Sequence, residues 1–328
     1  MLDLTELKGK TLLITGGTGM IGKSMIDFLL DNVDCEVIVT GRSEEKFKER
    51  FPGRNLSFVK WDIAHDHIPA IEGAIDYIIH LASNTHPVAY ATDPVSTIVM
   101  NVNAAKELLD LAVEKKIKRF VYASSVEIYG QNRGDADKFT EDYCGYIDSN
   151  TLRAGYPESK RCGESLCQAY IKQYGLDIVI PRIARIYGPT LLKTDTKALS
   201  QFIANALAGQ DIVLKSEGKQ YFSYLYVDDA VSGILTVMLK GKSGEAYNLA
   251  DEKSDITLRD LASLIAKECG TKVVFDLSKG AEAAGFSPAM LARMDPSKLK
   301  SLGWKAIHTI KSGIKETLGS MKGHHGKQ

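Results

Sequence analysis

Between an apolar run, Thr11–Thr15, and a helically spaced stretch, Ile21–Asn32, the chain carries Gly16, Gly19 and Gly22 as G-x-x-G-x-x-G. Few folds use that order. Gly16 permits a tight turn after a strand, Gly19 lets backbone amides approach a pyrophosphate, and Gly22 lets the helix pack closely on the strand. A glycine pattern alone is a weak signal, but the strand–turn–helix context is the one a dinucleotide site needs. Met20 and Ile21 then open the helix whose N-terminus faces the phosphates.

The rest of the first half repeats the alternation. Short β-rich runs at Glu36–Thr40, Leu56–Lys60, Tyr77–Leu81, Phe120–Ser124 and Ile178–Arg182 are separated by helical patterns, notably Val95–Glu114 and Pro157–Tyr174. Such strands, apolar on both faces, predict a parallel sheet covered on both sides. The expected fold class is α/β, a Rossmann-type doubly wound parallel sheet with a smaller, interleaved C-terminal substrate lobe. Its 328 residues suffice for about two domains. The dinucleotide domain is read as 1–188, with 224–250 returning to it. The substrate lobe takes 189–223 and 251–320, and 321–328 is read as a flexible tail.

The chemistry of the second strand's end bears on the cofactor. It reads Val39-Thr40-Gly41-Arg42-Ser43, with no carboxylate before Glu44. An acid there binds the ribose 2′-hydroxyl of NAD, and an arginine accommodates the 2′-phosphate of NADP. Arg42 leans the reading toward NADP and leaves NAD open. Asp62 and Ile63 are placed to border the adenine, and Leu81, Ala82 and Ser83 to line the ribose side.

Lys plus Arg and Asp plus Glu each number 41, so the formal charge is zero, which argues against nucleic-acid polymers and anionic membranes as main partners. Five cysteines without a CxxC pair argue against a disulfide framework or zinc site and fit the cytoplasm. No metal is expected; His324 and His325 near the end of the chain read as a solvated terminus.

Further along stand His80-Leu81-Ala82-Ser83, Asn101-Val102-Asn103, Ser124-Ser125-Val126-Glu127-Ile128-Tyr129-Gly130, Tyr156-Pro157-Glu158-Ser159-Lys160, Arg182 through Tyr187-Gly188-Pro189, and Tyr226-Val227-Asp228-Asp229. In this order the chain resembles the extended short-chain dehydrogenase/reductases, specifically their nucleotide-sugar epimerase/dehydratase branch. The resemblance covers nearly the whole chain. It implies that Ser125, Tyr156 and Lys160 are catalytic, that Glu127 serves as a base or binds a hydroxyl, and that Asn101 and Ser124 adjoin the cofactor. Tyr156 and Lys160 are four apart, on one helical face, where an ammonium favours the phenolate. Tyr156 would take a proton from a substrate hydroxyl while Lys160 holds the nicotinamide ribose.

Departures from the pattern narrow the reaction. The Asp-Glu pair of 4,6-dehydratases reads Val126-Glu127, which disfavours dehydration. UDP-glucuronate decarboxylases resemble the chain through Asn150–Tyr156 but carry a serine where Val126 stands; epimerases have a small apolar residue there. The arginine that grips the diphosphate ahead of Tyr-Val-x-Asp is Phe222, the basic residue after Gly-Pro is Thr190, and the family's asparagine is Arg185. Thr85, Arg185 and Phe222 are read as substrate-binding, with Lys193, Lys197 and Lys215 as further cations. The leading expectation is 4-epimerisation of a nucleotide-activated sugar through a transient ketone. NADPH-dependent ketoreduction and decarboxylation are the alternatives, and a non-catalytic dinucleotide sensor is the reading from another class. The resemblance also implies a homodimer through Val95–Glu114 and Pro157–Tyr174.

Overall fold

The structure, a computed structural model, describes residues 2–83, 90, 92–192, 195–277 and 290–325, the last three in backbone only. Its first half runs β1 (Thr11–Thr15), α1 (Met20–Asn32), β2 (Glu36–Gly41), α2 (Glu44–Arg50), β3 (Ser57–Lys60), β4 (Tyr77–His80), α3 (Pro94–Lys115), β5 (Arg119–Tyr122), β6 (Ser124–Ser125), α4 (Gly155–Tyr174) and β7 (Ile178–Ile183). Next come β8 (Arg185–Tyr187), α5 (Ala198–Leu207), β9 (Ile212–Leu214), β10 (Tyr221–Tyr226), α6 (Val227–Lys240) and β11 (Ala246–Leu249). The chain closes with β12 (Asp255–Thr257), α7 (Leu258–Cys269), β13 (Val273–Phe275), β14 (Leu291–Ala292), α8 (Ser297–Ser301) and α9 (Ile310–His325).

The main sheet has the order β11-β7-β5-β4-β1-β2-β3, with β6 also paired to β7. Its pairings are parallel. Residues Leu12–Ile14 and Ile78–Ile79 are fully buried, as strands covered by helices on both faces must be. The order reverses between β1 and β4, and ligands of open α/β sheets bind outside the strand C-termini at such a point. The Gly16–Gly22 turn and Leu81–Ser83 both leave the sheet there.

A second sheet pairs β10 with β12, β14 and β8. Arg185–Tyr187 and Tyr224–Tyr226, both read from sequence as part of the dinucleotide side, therefore pair with each other in the second sheet. Two helix starts follow local chemistry. Ser43 accepts from Lys46 N–H at 3.1 Å, and Thr257 from Asp260 N–H at 3.1 Å; each such cap contributes about 1 kcal/mol. The latter cap follows directly on β12, because Asp255–Thr257 pairs with β10 before the helix begins at Leu258. The tail read as flexible from 321 is helical through His325. Residues 326–328, the side chains of His324 and His325, and most of 279–297 lie outside the described residues. Among the described residues no helix is long and apolar enough to cross a membrane.

Candidate active site

The phosphate cradle is built from two contacts. Gly16 has φ +71°, and a Cβ on it would meet Ala82 N at 2.8 Å; a Cβ on Gly22 would strike the Gly16 carbonyl oxygen. Only glycine allows both the left-handed turn and this approach of helix to strand. Gly19 caps α1, whose first turn carries no acidic residue, so its N-terminal N–H groups and dipole remain available to an anion. Thr15 Oγ1 accepts from Ala82 N–H at 3.1 Å and bonds His80 Nδ1 at 2.8 Å, tying the β1 and β4 loops together. Burial pushes the His80 imidazole down to about 3, so it stays neutral. Thr190 gives its hydroxyl to the Met20 carbonyl at 3.1 Å and its own carbonyl to Arg50 at 3.1 Å. In place of the expected base after Gly-Pro, the chain has a strut that anchors α1.

At the adenosine end, Trp61 N–H donates to the Gly41 carbonyl at 2.9 Å, which sets Asp62 and Ile63 beside Gly41-Arg42. Asp62 Oδ1 accepts from Ala64 N–H at 3.2 Å. Arg42 is exposed. The donors, the glycine cradle and the acid-free helix start together fit a dinucleotide.

Tyr156 lies in the first turn of α4, buried. A polar chain fixes that turn: Ser83 Oγ donates to Asn101 Oδ1 at 2.7 Å, Asn101 Nδ2 to Ser159 Oγ at 2.9 Å, and Ser159 Oγ to the Tyr156 carbonyl at 2.7 Å. Ser125 accepts from Glu127 N–H at 3.2 Å, starting the single turn Val126–Tyr129. Ser124 is buried beneath it. The phenol does not titrate as the sequence reading expects. Burial pushes Tyr156 up to about 12, against hydrogen bonds from Ser125 and Ser83. Lys160 is itself pushed down to about 8 by burial, and its Nζ donates to the Ala123 carbonyl at 2.9 Å. Desolvation of the buried phenol outweighs the two hydroxyl hydrogen bonds and the Arg153 charge that favour its anion.

Glu127 is not an unpaired base. Arg153 holds one of its oxygens at 2.7 Å and Arg185 the other at 3.5 Å. Arg153 also lies over the Tyr90 ring, 4.7 Å from its centroid, and Tyr90 stacks on Tyr156 at 5.0 Å and 26°. Arg185 lies 3.7 Å over the Phe222 ring. Of the other aromatics of β10, Tyr226 packs on His308 and Tyr187, and Tyr221 under Arg293. Lys197 pairs with Asp195 at 3.4 Å. Thr85 and Lys193 lie outside the described residues. Sequence reasoning passed over Tyr90 entirely. It quoted Arg153 within a stretch without assigning it a task, although its place three residues before Tyr156 put it at the same helix end. Among the described residues, no group of three or more His, Cys, Asp or Glu is arranged to hold a metal ion.

The family model described as the NAD dependent epimerase/dehydratase family matches residues 12–250. The chain belongs to this family. It is 32% identical to UDP-glucuronic acid decarboxylase 6 of Arabidopsis thaliana over 86% of this chain and 85% of that protein. It is 29% identical to UDP-glucuronic acid decarboxylase 1 of Xenopus tropicalis over 96% of this chain and 73% of that one. UDP-glucose 4-epimerase of Thermotoga maritima, solved with UDP-glucose, superposes with a TM-score of 0.82 at 23% identity, over 96% of this chain and 99% of that one. The dTDP-glucose 4,6-dehydratase DesIV of Streptomyces venezuelae, a double mutant solved with NAD bound, gives 0.79 at 25% identity, over 96% and 98%. The protein is therefore an enzyme of the NAD-dependent nucleotide-sugar epimerase, dehydratase and decarboxylase group, on a Rossmann-type fold.

Proposed function

We propose that this enzyme oxidises C4 of a nucleotide-linked uronic acid and releases the sugar's carboxyl group as CO2. The observation that carries this is Arg153. Its guanidinium lies over Tyr90, whose ring stacks on Tyr156, and its Nε and Nη1 are buried without a hydrogen-bond partner among the described residues. Arg153 and Arg185 set two positive charges against the one carboxylate of Glu127. A surplus cation with free donors beside the hydroxyl-oxidising tyrosine suits a carboxylate next to C4. The relatives named as UDP-glucuronic acid decarboxylases support the same reading, which reverses the order that put 4-epimerisation first. Val126, buried and without a proton to exchange, speaks against dehydration.

A nicotinamide held by the glycine cradle and Lys160 would supply a hydride acceptor and donor, so that no net redox change would result. The residues do the rest. Burial holds the Tyr156 phenol up at about 12, so the positive charges of Lys160 and of a bound oxidised nicotinamide would be needed to favour the phenolate that takes the 4-hydroxyl proton, and Ser125 orients the same oxygen. Arg153 holds the carboxylate against the ketone-forming carbon. The resulting β-keto acid loses CO2 as its C5–C6 electron pair passes into the ketone; the protonated Tyr156 stabilises the enolate, C5 takes up a proton from water, and Tyr156 gives its own proton back to O4 when the ketone is reduced. Lys160, near the face of Tyr122 at 5.1 Å, is poised to turn from the Ala123 carbonyl to a ribose hydroxyl. Arg42 supports NADP as the bound form. Val95, Ile98 and Val99 of α3 remain exposed at 70%, 41% and 42%, which supports a homodimer through α3 and α4; light scattering reports the mass directly.

The test is incubation of the enzyme with UDP-glucuronate, UDP-glucose and dTDP-glucose. CO2 from UDP-glucuronate without net cofactor consumption is the expected result. A C4 epimer with no CO2, or stoichiometric NADPH oxidation, would replace this reading with epimerisation or ketoreduction.

A further inference from the structure

The substrate end of the cleft holds a guanidinium set on an aromatic ring. Arg185 of β8 stands in register beside Tyr224 of β10, and its Cζ lies 3.7 Å over the ring of Phe222, two residues along the same strand. Its bond to Glu127 Oε1, at 3.5 Å, is at the limit of a hydrogen bond, whereas Arg153 holds the other oxygen of that carboxylate at 2.7 Å. Nη1 of Arg185 is buried with no hydrogen-bond partner among the described residues.

With its Cζ 3.7 Å over the Phe222 ring, the guanidinium rests on a neighbour that takes no hydrogen bond in its plane, and Nη1 stays uncommitted. An in-plane fork of this kind matches the two oxygens of a carboxylate or phosphate. We propose that Arg185, seated on Phe222, is the oxyanion-binding and specificity-determining residue of the substrate site. It exchanges its weak share of Glu127 for an oxygen pair of the ligand, and Glu127 remains with Arg153. The cation that the resemblance expects at position 222 of β10 is thus delivered from β8, and the adjacent strand supplies its platform. The inference rests on reading the cleft as a nucleotide-sugar site, and the shared chemistry is an oxyanion: the diphosphate or the sugar carboxylate.

The experiment is calorimetric binding of UDP, UDP-glucose and UDP-glucuronate to the full-length enzyme and to Arg185→Gln. A loss of about 10- to 100-fold is expected, the range for a lost charge-assisted hydrogen bond. Equal loss for all three ligands assigns the diphosphate, and loss for UDP-glucuronate alone assigns the carboxylate. Phe222→Leu keeps the charge but loses the platform, and it should weaken the same ligands by a smaller factor. Arg185→Lys should recover part of the lost affinity but not all, which a purely structural role would not produce. If Arg185→Gln fails to fold, Arg185→Lys and Phe222→Leu carry the same comparison. Unchanged affinity for all three ligands in the folded variants overturns the proposal. Because binding is read without turnover, an enzyme that releases no CO2 refutes the proposed reaction while leaving this result standing.

Discussion

Replacing Lys160 by methionine should make the cofactor-free protein more stable at neutral pH. Lys160 is 3% exposed, and burial lowers its ammonium from 10.5 to about 8 despite the nearby Glu164 carboxylate. That drop corresponds to about 3 kcal/mol of stability forgone wherever both folded and unfolded states hold the proton, that is, below pH 8. Between pH 8 and 10.5 the unfolded chain binds more protons than the folded one, so the stability of the unmodified protein rises with pH. Methionine fills similar volume without charge but leaves the Ala123 carbonyl, now bonded at 2.9 Å, without its donor, a loss of about 1 kcal/mol. Lys160→Met should therefore gain roughly 2 kcal/mol at pH 7, and that advantage should shrink by about 2 kcal/mol by pH 9.5. Urea unfolding followed by the fluorescence of buried Trp61 and Trp304 at the two pH values measures both quantities. A gap between the two proteins that is independent of pH, or that widens in alkali, would refute the reasoning.

Three further outcomes follow from the same geometry. Tyr156→Phe should lower kcat by about 10²–10⁴-fold while UDP binding is retained, since the hydroxyl serves proton transfer and not nucleotide contact; kcat and calorimetric Kd measured together separate these. Gly22→Ala drives a methyl into the Gly16 carbonyl and should cost about 1–3 kcal/mol of stability together with cofactor retention, read by mass spectrometry of ligand released on denaturation. Arg42→Ala should weaken NADP by about tenfold or more and leave NAD nearly unaffected, because only the 2′-phosphate needs the guanidinium; titration with each cofactor decides it.

The local signals were legible in the sequence because each is local in its cause. The turn at Gly16–Gly22 must be glycine for steric reasons that involve its immediate neighbours, and the alternation of buried strands with helices directly encodes a parallel sheet. Tyr156 and Lys160 share one helix face through their spacing of four, whereas Ser125, 31 positions earlier at the end of β6, was set beside them only by the resemblance. What escaped the sequence depends on long-range placement. Tyr90 reaches Tyr156 across 66 positions of chain, and no periodicity encodes that stack. The phenol's raised pKa reflects enclosure, which the four-residue spacing to Lys160 cannot reveal. Arg185–Tyr187, inside the stretch read as 1–188, pairs with Tyr224–Tyr226 in the second sheet, a long-range pairing that three residues of chain do not announce.

The cluster of Glu127, Arg153 and Arg185 joins these two kinds of information. The sequence shows a carboxylate kept where dehydratases keep one, beside a hydrocarbon where they keep an acid, and suggests a residual base. The fold instead closes two guanidinia on that carboxylate. Two such cations, one over Tyr90 and the other over Phe222 beside Tyr224, would repel one another through a low-dielectric medium. Glu127 compensates them, tightly at Arg153 and loosely at Arg185, so the site keeps its shape while still presenting one net positive charge. An entering dianion can take the looser arginine without stripping the carboxylate of both its partners. Retention of Glu127 beside Val126 is then explained by the arginines it must neutralise, and the departures at positions 185 and 222 belong to the same arrangement.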